Sequence, residues 1–164
     1  MSCYLDVDDP TPLYQFERPS RDALFDHPTE LGFAFASTGI SPDGLTLVGS
    51  RFESDVATYS STRAALDQPF PTPEPLPGLE TMPLFGPTLS SDGLEVYGAL
   101  GAEKTFVVAR RPDLESPFTA PESLSPITGG LLTAGAPDLS EDCRTLVYVG
   151  VDPEYNWGLI QAQR

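Results

Sequence analysis

One pattern recurs three times along the chain at almost equal spacing. Each copy is a Ser-x-Asp turn followed by an apolar run, and the copies begin at Ser41, Ser90 and Ser140, 49 and 50 residues apart. Asp-Gly between two extended apolar segments is a strong signal for a tight β-turn, and Cys143 takes the glycine position in the third copy. Repetition at a period of about 50 residues is typical of arrays of small sheets. The sequence therefore predicts a repeat protein with units 1–40 (partial), 41–89, 90–139 and 140–164 (partial).

A second marker recurs in the same order. Phe follows Arg by seven residues, Pro follows Phe by three, and Leu follows Pro by three. The three frames are Arg18, Phe25, Pro28 and Leu31; Arg63, Phe70, Pro73 and Leu76; and Arg111, Phe118, Pro121 and Leu124. A fourth arginine, Arg164, stands at the matching place in the last unit. We expect these arginines, each at the end of a strand, to pair with carboxylates of the sheets.

The segments between the markers predict an all-β chain with four short strands in each unit. None of them has a 3.6-residue period of useful length. Adjacent apolar residues such as Leu47 and Val48, or Val96 and Tyr97, predict strands that are covered on both faces. Radially stacked four-stranded sheets meet that requirement. We therefore expect one domain, 1–164, that is β-propeller-like with about three and a half blades per chain; a β-sandwich is the alternative.

The repeated motifs resemble a known family. Ser-Pro-Asp-Gly before Leu-Thr-Leu, with the later Pro-Phe-x-x-Pro-x-x-Leu element, is similar to the TolB-type WD40-like propeller repeat of bacteria. The resemblance covers nearly the whole chain, and Cys143 and Asp55-Val56-Ala57 depart from it. It implies a propeller used for binding or scaffolding, in the periplasm, in the cell envelope or secreted. A cytoplasmic location stays open, because no hydrophobic signal segment follows Met1.

The charge of the chain excludes two classes of partner. Twenty-four acidic residues against nine basic ones give a net charge of −15. Phosphate backbones and anionic membrane surfaces are bound by clustered Lys and Arg, which this sequence lacks. No run approaches the roughly 18 apolar residues of a membrane span. We therefore predict neither nucleic-acid binding nor membrane insertion.

Candidate catalytic residues are few. Asp43, Asp92 and Asp142 recur in every unit, so we interpret them as turn residues rather than as one site. His27 is the single histidine and no Gly-x-Ser-x-Gly elbow is present, which disfavours a hydrolase triad. We predict no catalytic residue, no metal ligand and no cofactor. The alternative is a glycan hydrolase or lyase of the propeller type, which would need two facing carboxylates.

The turns between the second and third strands differ most between units, and a propeller gathers such turns on one face. The candidate ligand-binding residues in them are Asp8, Asp9, Arg51, Asp55, Lys104, Asp152, Glu154, Tyr155 and Trp157. Tyr155 and Trp157 are suited to stack on a sugar or a partner side chain, whereas the commoner role of a tryptophan such as Trp157 is in the core. The acidic turns lack the spacing of a calcium loop.

These observations favour a non-catalytic binding or scaffold module that contacts a protein or a glycan through its loops. The predicted strands leave blade edges open at both ends of the sequence, and open edges are association sites. We therefore expect a homo-oligomer or pairing with further propeller blades. Whether Cys3 and Cys143 form a disulfide stays open at this point.

Overall fold

The structure is a computed structural model that describes residues 12–18, 20, 22–51, 57–100, 105–124, 133–140, 142–151, 154 and 156–163. Thirteen strands and no helix occur within these residues, which confirms the predicted all-β class. The described part therefore contains no helix that is able to cross a membrane.

The strands form four antiparallel sheets, and in each sheet they lie in sequence order. Sheet 1 consists of β1 (Pro12–Glu17) and β2 (Asp26–Ala34). Sheet 2 consists of β3 (Ser37–Ile40), β4 (Thr46–Arg51), β5 (Ala57–Thr62) and β6 (Glu74–Pro75). Sheet 3 consists of β7 (Phe85–Leu89), β8 (Glu95–Leu100), β9 (Thr105–Arg110) and β10 (Glu122–Ser123). Sheet 4 consists of β11 (Thr133–Leu139), β12 (Thr145–Val151) and β13 (Trp157–Gln163).

Each complete sheet begins shortly before its repeated turn. In sheet 2 the turn joins β3 to β4, and in sheet 3 it joins β7 to β8. The last strand of each of these sheets is short and lies in the Pro-to-Leu part of the second marker. Leu76 N donates to Thr58 O at 2.7 Å, and Leu124 N donates to Phe106 O at 2.8 Å. In sheets 2 and 3, the first marker therefore forms the turn between the first two strands, and the second marker contains the fourth strand.

The sheets pack face to face in a row. Between sheets 1 and 2, Leu13 and Phe33 pack against a cluster formed by Phe35, Ala57 and Tyr59. Between sheets 2 and 3 the core contains Val48, Leu76, Leu84, Leu89, Val96 and Val107. Between sheets 3 and 4 it contains Tyr97, Ala99, Phe106, Val108, Leu146 and Tyr148.

Sheet 3 shows why apolar residues are adjacent along its strands. Val96 packs towards sheet 2, and its neighbour Tyr97 packs towards sheet 4. Phe106 meets Tyr148 across the second interface with ring centroids 4.6 Å apart and the rings at 89°. The strands of sheet 3 are thus buried on both faces, as the adjacent apolar pairs predict.

Buried hydroxyl groups fix the crossover from sheet 2 to sheet 3. Ser50 and Thr58 are fully buried on the face of sheet 2 that meets sheet 3. Ser50 Oγ donates to Leu84 O at 2.6 Å, while Thr58 Oγ1 donates to Met82 O at 2.7 Å and accepts from Leu84 N at 3.0 Å. Because a buried polar group without a partner is costly, these bonds hold the crossover in one position.

The first strands of sheets 2, 3 and 4 are neighbours: β3 contacts β7, and β7 contacts β11. The sheets of the described residues do not close into a ring. The architecture of the described residues is therefore a row of small antiparallel sheets, and the first strands of sheets 2, 3 and 4 are neighbours.

Candidate functional site

The repeated aspartates are bound within their own turns. Asp43 Oδ1 accepts hydrogen bonds from Ser41 Oγ at 2.5 Å and from Leu45 N at 2.9 Å. The Ser41 hydroxyl, followed by the Leu45 amide, lowers the pKa of Asp43. Asp92 and Asp142 make the equivalent bonds, and these also lower the pKa of each carboxyl. Hydrogen bonds to the charged form of the carboxyl keep it ionised and fix the hairpin.

The recurring arginines bind carbonyl oxygens and aromatic rings, so the prediction of carboxylate partners is wrong for Arg63 and Arg111. Arg63 Nε donates to Gly44 O at 3.0 Å, and its guanidinium carbon lies 4.4 Å from the centroid of Phe70. Arg111 Nε donates to Gly93 O at 2.9 Å, with a ring distance of 4.6 Å to Phe118. Arg18 lies in the same way 4.7 Å from the Phe25 centroid. The constant seven-residue gap between Arg and Phe therefore encodes a cation–π contact at the end of the turn.

Cys143 occupies a backbone conformation that favours glycine. Its φ is 57°, close to the values of 71° for Gly44 and 70° for Gly93 in the other turns. Its thiol is half-buried, and Sγ lies 3.5 Å from Ser91 Oγ. Cys3 lies outside the described residues, and a disulfide between Cys3 and Cys143 therefore stays open.

Three of the nine predicted ligand-binding residues belong to the described part of the chain: Arg51, Glu154 and Trp157. Arg51 serves the packing of sheets 1 and 2, because its guanidinium carbon lies 4.7 Å from the Tyr59 centroid and Nε donates to Ala34 O at 3.4 Å. Glu154 is exposed beside sheet 4. The remaining six, outside the described residues, are Asp8, Asp9, Asp55, Lys104, Asp152 and Tyr155.

Trp157 is exposed, so the core position considered for it is wrong. It is the first residue of β13, and 73% of its surface is accessible. Arg51 is on sheet 2 and Trp157 is on sheet 4, with sheet 3 between them. The structure therefore does not bring these two predicted ligand residues into one site. His27 lies in β2, and its side chain is outside the described set.

An apolar surface covers the outer side of sheet 4. Leu146 and Tyr148 point towards sheet 3, so the alternation of a strand places Val147 and Val149 on the opposite side. In the register of β12 and β13, Val149 lies opposite Leu159, and Val151 lies opposite Trp157. We call the group Val147, Val149, Trp157 and Leu159 the terminal face. Val147 is 37% exposed and Leu159 is 79% exposed.

The same positions are buried one unit earlier in the chain. Val147 corresponds to Tyr97, and Leu159 corresponds to Phe106, which pairs with Ala99 as Leu159 pairs with Val149. Tyr97 is 7% exposed and Phe106 is 1% exposed, because sheet 4 covers them. The terminal face is thus the same kind of surface as a sheet interface, without a covering sheet in the described structure.

The second and third strands of sheet 4 carry no charge on the side of the terminal face, and Asp138 of β11 lies opposite Val147 on that side. The alternating positions of β12 and β13 on this side hold Thr145, Val147, Val149, Val151, Trp157, Leu159, Gln161 and Gln163. The whole chain, by contrast, has a net charge of −15. Sequence reasoning singled out Trp157 and missed the three aliphatic residues; their period of two on the last two strands is the signal that would have found them.

Two clefts lie between sheets. One of about 260 Å³ opens between sheets 1 and 2, with Tyr14, Leu31, Ile40 and Phe70 among its lining residues. The other, of about 120 Å³, lies between sheets 3 and 4 and is bordered by Arg110.

Arg110 is already engaged by carboxylates of its own sheet. Its Nε lies 2.9 Å from Glu95 Oε1, and its Nη1 lies 2.8 Å from Glu122 Oε2. Neither cleft is lined by an aspartate or a glutamate of the described chain. The described residues therefore place no acid pair of the kind that glycoside hydrolysis uses in either cleft.

No protein-family model and no curated protein matches this sequence. Among solved structures, the chain is similar to a functionally unknown protein from Desulfotomaculum acetoxidans DSM 771, with 12% sequence identity and a TM-score of 0.41. The alignment covers 93% of this chain, which spans 63% of the length of that protein. The TolB-type resemblance accordingly stays a prediction from the repeated motifs.

Proposed function

We propose that the protein is a non-catalytic interaction module of the β-propeller type, which binds another protein through the terminal face. The observation that carries the proposal is the exposure of Trp157 and Leu159 on a sheet surface whose counterpart in sheet 3 is buried. Large exposed apolar side chains that cluster on one surface mark interaction sites, and tryptophan is enriched at the centres of protein interfaces.

The order of the sheets supports a propeller over a sandwich. A sandwich has two packed layers with one core between them, whereas this chain has successive cores between sheets 1 and 2, 2 and 3, and 3 and 4. The neighbouring first strands β3, β7 and β11 agree with blades around a common axis. The resemblance of the motifs to a bacterial propeller repeat makes a periplasmic, envelope or secreted location the expected one.

The chemistry of the terminal face favours a protein over a glycan. Sugar sites combine an aromatic platform with polar groups that bind hydroxyls, but the strand positions next to Trp157 on this side are apolar: Val151 lies opposite it, and the pair of Val149 and Leu159 follows. Complete burial of a large apolar side chain stabilises a complex by about 1.5–3 kcal/mol. Trp157 and Leu159, which are both more than two-thirds exposed, would together contribute roughly 2–4 kcal/mol. That contribution makes them the expected anchor residues of the interface.

The test is site-specific photo-crosslinking in cells that produce the protein. A benzophenone amino acid at position 159 is compared with the same group at position 114, where Leu114 is 61% exposed outside the sheets. We expect a discrete protein adduct from position 159 and none from position 114. Equal yields at both positions, or no protein adduct at position 159, would contradict the proposed function.

A further inference from the structure

We infer that the partner of the terminal face is sheet 1 of a second copy of this chain, so that two copies associate head to tail. This inference rests on the proposed function and names its partner. Three features of the chain support it: what covers the equivalent faces, which surface at the other end of the row is left uncovered by the described residues, and where acidic side chains are few.

Two faces equivalent to the terminal face are covered within the chain, and the structure shows which surface covers each of them. The equivalent face of sheet 2, which contains Val48, is covered by Leu89 and Val96 of sheet 3. The equivalent face of sheet 3 is covered by Leu146 and Tyr148 of sheet 4. In both cases the covering surface belongs to the next sheet along the chain. It is the face of that sheet that lies opposite to the sheet's own equivalent of the terminal face. The terminal face should therefore fit that opposite face best.

Among the described residues, the surface of this opposite kind that no other sheet covers belongs to sheet 1. In β1, Leu13 packs against the cluster of sheet 2, and Gln15 Oε1 accepts from Arg63 Nη1 at 3.3 Å. Phe16, between Gln15 and Glu17, is 52% exposed, whereas Tyr14 is 50% exposed and borders the cleft between sheets 1 and 2. Phe16 and the terminal face thus lie at the two ends of the row of sheets.

Charge restricts where two copies can meet. Each copy has a net charge of −15, so acidic surfaces of two copies repel each other. The positions of β12 and β13 on this side hold only neutral side chains, and Asp138 of β11, opposite Val147, is the acidic strand residue on that side. Contact through this face places no acidic side chain of β12 or β13 against the partner.

A two-fold axis would satisfy both ends at once. Each terminal face then meets sheet 1 of the other copy, and the pairing of unlike surfaces closes instead of forming a filament. The expected particle has about twice the chain mass of 17.6 kDa.

The first measurement is sedimentation of the full chain over a range of concentrations, together with fluorescence. Trp157 is the single tryptophan, so its emission reports on the terminal face alone. We expect a monomer–dimer equilibrium and an emission shift to shorter wavelength as the dimer forms. A monomer at every concentration, or a dimer with unchanged Trp157 emission, would overturn the inference.

Charge variants test the two surfaces separately. Leu159→Glu and Phe16→Glu should each raise the dissociation constant by at least about tenfold, because each buries a charge in the interface. Leu114→Glu is the matched control and should leave the dissociation constant unchanged. All three variants should keep the circular dichroism spectrum of the wild type, since the three side chains are half or more exposed.

Mixing the variants identifies the head-to-tail arrangement. A Leu159→Glu copy keeps an intact sheet 1, and a Phe16→Glu copy keeps an intact terminal face. In an equimolar mixture these two intact surfaces can meet, which restores one of the two contacts of the dimer. The mixture should therefore associate more tightly than either variant alone. A dimer that Phe16→Glu leaves intact, or a mixture without recovery, would overturn the inference. Either result would leave the proposed function standing if position 159 still crosslinks to a different protein.

Discussion

Replacing Arg111 with methionine removes the side chain that ties the turn of sheet 3 to the segment after β9. Arg111 Nε donates to Gly93 O at 2.9 Å, and Nη1 donates to Leu114 O at 3.1 Å. Its guanidinium also lies over Phe118. Methionine retains an apolar stem and a contact with the aromatic ring, but it donates no hydrogen bond.

The expected loss of stability is the contribution of the hydrogen bonds and the ring contact, reduced by the desolvation cost of the buried charge. Two hydrogen bonds from a charged donor contribute about 1.5 kcal/mol each at the low end of the usual range, and the contact with Phe118 adds roughly 0.5–1 kcal/mol. Burial lowers the pKa of Arg111, which shows that the charged form carries a desolvation cost that methionine does not have. We therefore expect Arg111→Met to lower the free energy of unfolding by about 2–3 kcal/mol.

Urea unfolding followed by circular dichroism measures this loss; Trp157 is a poor reporter because it is already exposed in the folded chain. Arg111→Lys keeps the charge but lacks the planar fork, so its loss should be intermediate. Arg144→Met is the control, because Arg144 is exposed in the turn of sheet 4, and we expect it to change the free energy by less than about 0.5 kcal/mol. A change below about 0.5 kcal/mol for Arg111→Met, or equal losses at both arginines, would refute the role of the recurring arginine.

Two further predictions concern a glycine and the acidic turns. Gly78→Ala should destabilise the chain by at least about 2 kcal/mol in thermal unfolding, because φ of Gly78 is 90° and a Cβ would overlap the backbone of Phe118. Gly158→Ala is the control and should be neutral, because no atom lies within 4 Å of the new Cβ. The turns lower the folded-state pKa of Asp43 and Asp92 below the ordinary 3.8, so their stabilisation is present above that ordinary value and is lost as the pH falls through the lower folded values. Urea midpoints from pH 6 downward should therefore fall below about pH 4, and Asp92→Asn should make that fall shallower; an equally steep fall in the variant would contradict this assignment.

The local structure of the sheets was predictable because the turn chemistry is local. Ser41, Asp43 and Gly44 lie within four residues and satisfy one another's hydrogen bonds with the backbone beside them. Such turns fix the strands that they connect, whatever packs on the sheet. The all-β class and the four-stranded units follow from that pattern and from the adjacent apolar residues.

The partners of Arg63 and Arg111 were predicted wrongly for a physical reason, while Arg164 lies outside the described residues. A net acidic chain suggests carboxylate partners, but Arg63 ends its strand beside the carbonyl of Gly44 and the ring of Phe70. Charge composition says nothing about which group a guanidinium reaches after the chain folds. The invariant gap between arginine and phenylalanine already contained the answer, since only a specific contact requires a fixed spacing.

The exposure of the terminal face could not be predicted from the sequence, because the burial of a sheet surface depends on whether another sheet packs on it. Leu159 and Phe106 have equivalent places in their sheets, yet one is exposed and the other is buried. Alternation along a strand assigns both residues to a face, but it does not show whether another sheet lies on that face. The difference arises from the order of the sheets, which only the folded structure supplies.

Amide hydrogen exchange of β8 and β12 is the most direct test of face-to-face packing in a repeating row. Both are second strands of their sheets and pair with a strand on each side. Sheets cover both faces of β8, whereas one face of β12 is not covered by any described sheet. In the dilute chain we expect slower exchange in β8 than in β12 by at least about tenfold, because local opening is easier where less apolar surface is buried. Equal exchange rates in the two strands, or slower exchange in β12, would contradict it.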